Sequence, residues 1–160
     1  MRTPLTRQGA RARRPLATLT TLSVLAAGLI ATGSAAAAPA YAAACTGKKG
    51  VTVVVDFTKL GGKVKTACDP TDPATGLAAL TGAGFTYSFV PRQPGFVCRI
   101  DKKPNPCNGA PATAYWSYWH AKPHGKWVYS TVGAGSYNPA PGTVQGWAFG
   151  AGKHPRISPP

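Results

Sequence analysis

Residues 114–130, AYWSYWHAKPHGKWVYS, hold three of the chain's four tryptophans and three of its six tyrosines. Two short aromatic runs, Tyr115 to His120 and Trp127 to Ser130, flank a linker with Pro123 and Gly125, which predicts two strands joined by a loop. Alternation puts Tyr115, Ser117 and Trp119 on one face of the first strand and Trp116, Tyr118 and His120 on the other. Both faces are aromatic, although a half-buried strand needs only one apolar face. One row is expected to lie against something besides the domain's own core: another segment, a partner or a ligand. The alternative is that both rows pack under loops, with each polar tip finding a partner. Small Ser117 between Tyr115 and Trp119 suits packing over a helix through Leu77 and Leu80. Trp116, Tyr118 and His120 are therefore the expected exposed binding row, joined by Trp127, Tyr137 and Trp147.

Outward from this stretch the chain reads as one domain. Val51, Val53, Val55 and Phe57 alternate with Thr52, Val54 and Asp56, the strongest strand signal present. Gly61-Gly62 separates this strand from a second at Val64–Ala67, giving a hairpin. Asp72 reads as a helix N-cap with Pro73 in the first turn, and Gly82 or Gly84 as the stop. Phe85, Tyr87 and Phe89 alternate as a further strand, as do Phe96, Cys98 and Ile100, and Val144–Phe149 closes the domain. The order β-β-α-β-β-β-β, one helix crossing a mixed sheet, predicts an α+β, β-grasp-like domain over residues 45–150. Residues 131–143 form a Gly/Pro loop, and 151–160 read as a flexible, solvated tail.

The first forty-four residues read as a signal peptide. Arg2, Arg7, Arg11, Arg13 and Arg14 form a basic region, Leu16 to Ile30 an apolar run, and Ala31 to Ala44 a small-residue tract with cleavage sites between 40 and 44. The apolar run is too short to span a membrane comfortably. Arg13-Arg14 fits the twin-arginine pattern poorly, and Cys45 lacks the larger aliphatic residue that lipidation wants three positions earlier. Export to an oxidising compartment makes Cys45, Cys68, Cys98 and Cys107 two disulfides by default. Four cysteines allow three pairings. Hairpin topology favours Cys45–Cys68, and the turn-forming Pro104 and Pro106 favour Cys98–Cys107. The core is thin, so the bridges staple the fold.

The chain carries eighteen basic residues and four Asp, with no Glu. Without the five leader arginines it keeps thirteen cations against four acids, a net charge of +9. Such a balance favours an anionic cell-wall surface or anionic headgroups outside the cell over nucleic acid, which an exported protein seldom meets. No basic run of the mature chain exceeds two residues, so the sequence reads the charge as diffuse.

Several segments carry a resemblance: GVTVVVDF with GGKV, the helix DPATGLAAL, FVCRID, AYWSYW, and a closing G-x-V-x-G-W-x-F-G. Together, over roughly residues 46–150, they resemble a family of small secreted actinobacterial proteins similar to the C-terminal, β-grasp-like domain of transcobalamin and intrinsic factor. The Y-W-S-Y-W run is the most specific element. In those carriers the domain closes over cobalamin held against a helical barrel. The resemblance therefore implies a corrinoid ligand shared with a secreted helical-barrel partner that feeds an energy-coupling-factor type importer. Relative to those carriers, the chain is expected to lack an attached barrel, and it has two added cysteine pairs.

Catalysis finds little support in the sequence. No G-x-S-x-G elbow occurs, Asp56 alternates with core residues, and His120 and His124 straddle Pro123 rather than sharing a helical face. A non-enzymatic module with no cofactor and no metal site is expected. A second class is a secreted serine-protease inhibitor of the subtilisin-inhibitor type. It would use the segment Thr66–Pro70 (TACDP) and a reactive loop at Cys98-Arg99-Ile100-Asp101.

Overall fold

The computed structural model describes residues 43–160. The expected leader therefore falls, apart from its last two residues, outside the described residues. Among the described residues seven strands and one helix follow, one strand more than the expected β-β-α-β-β-β-β order: β1 (Val51–Asp56), β2 (Val64–Asp69), α1 (Gly76–Gly82), β3 (Tyr87–Val90), β4 (Gln93–Ile100), β5 (Tyr115–Ala121), β6 (Val128–Tyr129) and β7 (Val144–Gly150), with a 3₁₀ turn at Thr58–Leu60. The class is α+β. Five strands form a mixed sheet in the order β2-β1-β7-β5-β6, with β3 and β4 paired as a separate ribbon. The first and last strands lie parallel at its centre, while the other pairs are antiparallel.

All six residues of β1 are buried, as the near-continuous valine run requires of a strand covered on both faces. Val51, Val53 and Val55 join Leu77, Leu80, Phe85, Trp116, Tyr118 and Trp147 in the main core beneath α1. The helix starts later than Asp72 suggests. Its N-cap is Thr75, whose hydroxyl accepts the Ala78 amide at 3.0 Å, and Asp72 is exposed. Gly76 and Leu77 donate their amides to Tyr137 and Ala134 carbonyls, so the Gly/Pro loop satisfies the helix start. Gly76 has no side chain because Tyr118 Oη occupies the space a Cβ would take.

Both disulfides form with the favoured pairing, Cys45–Cys68 across the first hairpin and Cys98–Cys107 across the turn after β4, with Cα separations of 4.8 and 5.7 Å. Such bridges belong to an oxidising compartment. Among the described residues no helix is long and apolar enough to cross a membrane.

The face assignment of β5 is reversed. Trp116 and Tyr118, expected to be exposed, are core residues at 5% and 7% exposure. Trp116 meets Phe57 and Phe149 edge-on at 5.3 and 5.4 Å, and its indole donates to Lys103 O. The small Ser117 serves the opposite face. With Gly146 and Ala148, its neighbours across and along β7, it forms a shallow trough that large rings and backbone can enter. Trp127 and Pro155 occupy the space above Gly146. Trp119 donates to Ser117 Oγ at 2.9 Å and packs edge-on against Tyr129 and His154.

The segment that fills this trough is the one expected to be a flexible tail. Residues 151–160 return across the second face of the sheet, with Pro155 and Pro159 buried. Arg156 N donates to Asp56 Oδ2 at 2.8 Å, His124 N to Pro159 O at 3.0 Å, and Trp127 Nε1 to Ile157 O at 2.7 Å. The Ser117 hydroxyl lies within donating distance of both Ala148 O and Lys153 O. The surplus aromatic row is thus covered by another segment of the same chain. Thermal melts are expected to rank the two tryptophans accordingly. Trp116→Ala should cost about 3–5 kcal/mol as a core truncation, and Trp119→Ala, half-buried under the tail, under about 2 kcal/mol.

A candidate binding cleft

Between β4 and the loop after β6 lies a cleft of about 300 Å³. Trp116, Tyr118 and Trp147 form its floor, with Tyr118 and Trp147 directly opposed on β5 and β7, and Tyr115 lines its edge. Gly95–Val97 of β4 make one wall and Ser130–Ala134 the other. The second wall is held in place because Ser130 N donates to Tyr118 O and Ser130 Oγ to Val132 O. The rim is apolar and open to solvent, with Phe96, Tyr129 and Val132 at 49%, 45% and 47% exposure. No lysine, arginine, histidine or carboxylate lines the cleft, although the chain as a whole is strongly cationic. Its chemistry is burial of apolar surface, stacking on rings and hydrogen bonding to phenols and backbone.

Beneath the floor two polar groups are buried without partners, Tyr118 Oη and Trp147 Nε1, and the Gln145 amide nearby is in the same state. Burial, assisted by the nearby Tyr137 phenol, pushes the Tyr118 phenol far above its ordinary range. Tyr115 is also raised, chiefly through its hydrogen bond with Tyr129 and secondarily by burial.

The six residues expected to bind ligand separate into three places. Trp116, Tyr118 and Trp147 come together as the cleft floor, buried rather than presented as an exposed row. His120 and Tyr137 stack on each other at 4.7 Å, their planes 16° apart, in a groove of about 480 Å³ beyond the loop. Burial lowers the His120 pKa. Trp127 lines a third depression of about 390 Å³ beside the tail.

Sequence reasoning missed the rim. Phe96 alternates with Cys98 and Ile100, which predicts an inward side chain. Register shifts in the β3–β4 ribbon break that alternation, so Val97 and Cys98 are both buried and Phe96 faces out. The same ribbon affects the inhibitor reading: Cys98-Arg99-Ile100 lies in β4 rather than in a loop, with Arg99 partly buried, and Thr66–Asp69 lies in β2.

The model of an SCO2322-like domain matches residues 108–158, the stretch that holds β5, β6, β7 and most of the docked tail. No curated protein and no solved structure matches the chain. The chain is similar to that domain over the part that supplies the cleft floor, one wall and the Tyr129 side of the rim.

The unpartnered Tyr118 hydroxyl leads to a stability test with a definite sign. A phenol raised in the fold contributes stability that is present below its unfolded value, near 10, and lost as pH rises above it. Tyr118→Phe removes a buried unpaired group, so stability at pH 7 should stay within about 0.5 kcal/mol of the parent or rise. Its alkaline unfolding should move to higher pH. Denaturant melts at pH 7 and across pH 9–12 check both; a clear loss at pH 7 would mean that the hydroxyl has a partner.

Proposed function

We propose that this protein is an exported, non-enzymatic binding module whose uncharged aromatic cleft holds one part of a ligand while a second protein covers the rest. The observation that carries this reading is the exposed rim of Phe96, Tyr129 and Val132 above a floor of packed aromatic rings. Exposed apolar groups gathered around a concavity are worth more to binding than to folding, since folding leaves them wet.

The size of the cleft supports sharing. At about 300 Å³ it stands at the small end of the roughly 300–1,000 Å³ typical of ligand pockets. A macrocycle such as a corrinoid overfills it, so one edge would be held here and the remainder by a partner. Within this reading the fold is β-grasp-like: a β1–β2 hairpin leads into one helix, and β7 returns parallel to β1. The corrinoid, the helical-barrel partner and the importer are the specific forms of this proposal that the resemblance supplies.

Calorimetry tests it with cobalamin as the probe, using the mature protein alone, with a co-encoded helical-barrel protein, and as the Phe96→Ala/Tyr129→Ala variant. Weak binding alone, at least tenfold tighter binding with the partner, and loss of that gain in the variant are expected. Tight binding by the isolated protein would contradict sharing. No binding in any mixture would remove the corrinoid, and stoichiometric inhibition of trypsin or subtilisin would replace the reading with the inhibitor.

A further inference from the structure

Away from the cleft, the fold gathers charge that the sequence scatters. The turn between β5 and β6 brings Lys122 and Lys126 together, and the docked tail delivers Arg156 from thirty residues further along. Two grooves meet at this turn and share Gly125 and Lys126 as a common lip. One contains Lys122, His120 and the Tyr137 ring, the other Arg156, His154 and the Trp127 ring. Neither shares a lining residue with the aromatic cleft.

No aspartate lines this cationic surface; the nearest, Asp56, lies behind it and holds the Arg156 backbone. Asp101 pairs with Lys65, and Asp69 is buried at the end of β2. Asp72 precedes α1, and Asp56 is buried and already accepts from Thr58 and the Arg156 backbone. None of the four lines either groove. The Lys122, Lys126 and Arg156 side chains have no carboxylate partner among the described residues, and all three residues are exposed.

We infer that the two grooves form one docking track for a linear, phosphate-bearing anionic polymer, which crosses the turn at Lys126 and meets the three cations in succession. Cations set on the lips of concave grooves walled by Trp127 and Tyr137 favour a chain over a bilayer. A chain can enter a groove and lay its uncharged units on the rings, whereas a bilayer surface meets only what stands proud of it. The arginine fork and the two lysines suit phosphate oxygens. This inference is independent of the cleft: the track would hold the module on an anionic matrix while the cleft remains free.

Long-chain polyphosphate is a suitable probe, with binding to the mature protein followed as a function of salt. The variant Lys122→Gln/Lys126→Gln/Arg156→Gln is compared with Lys48→Gln/Lys49→Gln/Lys102→Gln, which removes the same charge from exposed positions elsewhere. The track variant should lose at least tenfold in affinity. The slope of log affinity against log salt should fall by about two to three, at roughly 0.7–0.9 per lost phosphate contact. The control should stay within about twofold. In the parent protein bound polyphosphate should shield Trp127 from a soluble quencher, a readout that needs no variant. Equal losses in both variants, or an unshielded Trp127, would overturn the track in favour of diffuse charge. Vesicles with 30% anionic lipid that bind as tightly as polyphosphate, with the same dependence on the three cations, would overturn the polymer in favour of a membrane surface.

Discussion

A sheet whose central strand is buried on both sides needs a cover for each face, and α1 with its neighbouring loops supplies only one. The rest of the structure follows from how the second face is closed. Ser117, Gly146 and Ala148 keep that face shallow, and Trp127, Pro155 and the backbone of residues 153–159 settle into the hollow. Asp56 shows how closely the two ends of the chain are tied. Its carboxylate sits at the end of β1, holds Thr58 with one oxygen and accepts the Arg156 amide with the other. A buried acceptor with good donors on both oxygens stabilises the tail's path, while leaving it unpaired would cost about 1–3 kcal/mol or more.

This closure decides which aromatic groups remain for other uses. Of the crowded residues around β5, Trp116 and Tyr118 go to the helix-side core, Trp119 and Trp127 to the tail-side layer, and His120 to a stack with Tyr137. The most exposed aromatic side chains are then Phe96 and Tyr129 at the mouth of the cleft, while Trp127 and Tyr137 stay partly open in the two grooves of the cationic end. The same tail that completes the fold also carries Arg156 to the β5–β6 turn. One packing solution thus leaves an uncharged cleft lined by Tyr129 and a cationic end lined by Trp127 and Val128.

The α+β class, the positions of most strands, the two disulfides and the valine-rich central strand were legible in the sequence because each rests on local patterning: period-two alternation, turn residues, and an even number of cysteines near hairpin ends. The face of β5 was not legible. Both of its rows are aromatic, so periodicity alone cannot rank them, and the deciding residues, Gly146 and Ala148, are about thirty positions away. The tail was misread because Gly, Pro and Lys in GAGKHPRISPP signal solvation in isolation. Prolines with no amide to satisfy are nonetheless well suited to lying against a sheet face, where only a few backbone bonds are needed. The rim residue Phe96 was hidden by the irregular β3–β4 register, which shifts side chains from one face to the other without a mark in the sequence.

Hydroxyl-radical footprinting of the mature protein, read residue by residue, tests most directly the claim that the aromatic side chains are divided between two buried layers and one open cleft mouth. The account predicts strong protection of Trp116 and Trp147, intermediate labelling of Trp119 and Trp127, and ready labelling of Phe96 and Tyr129. Labelling of Trp116 as strong as that of Phe96, or Trp119 and Trp127 modified at the rate of unfolded protein, would contradict it.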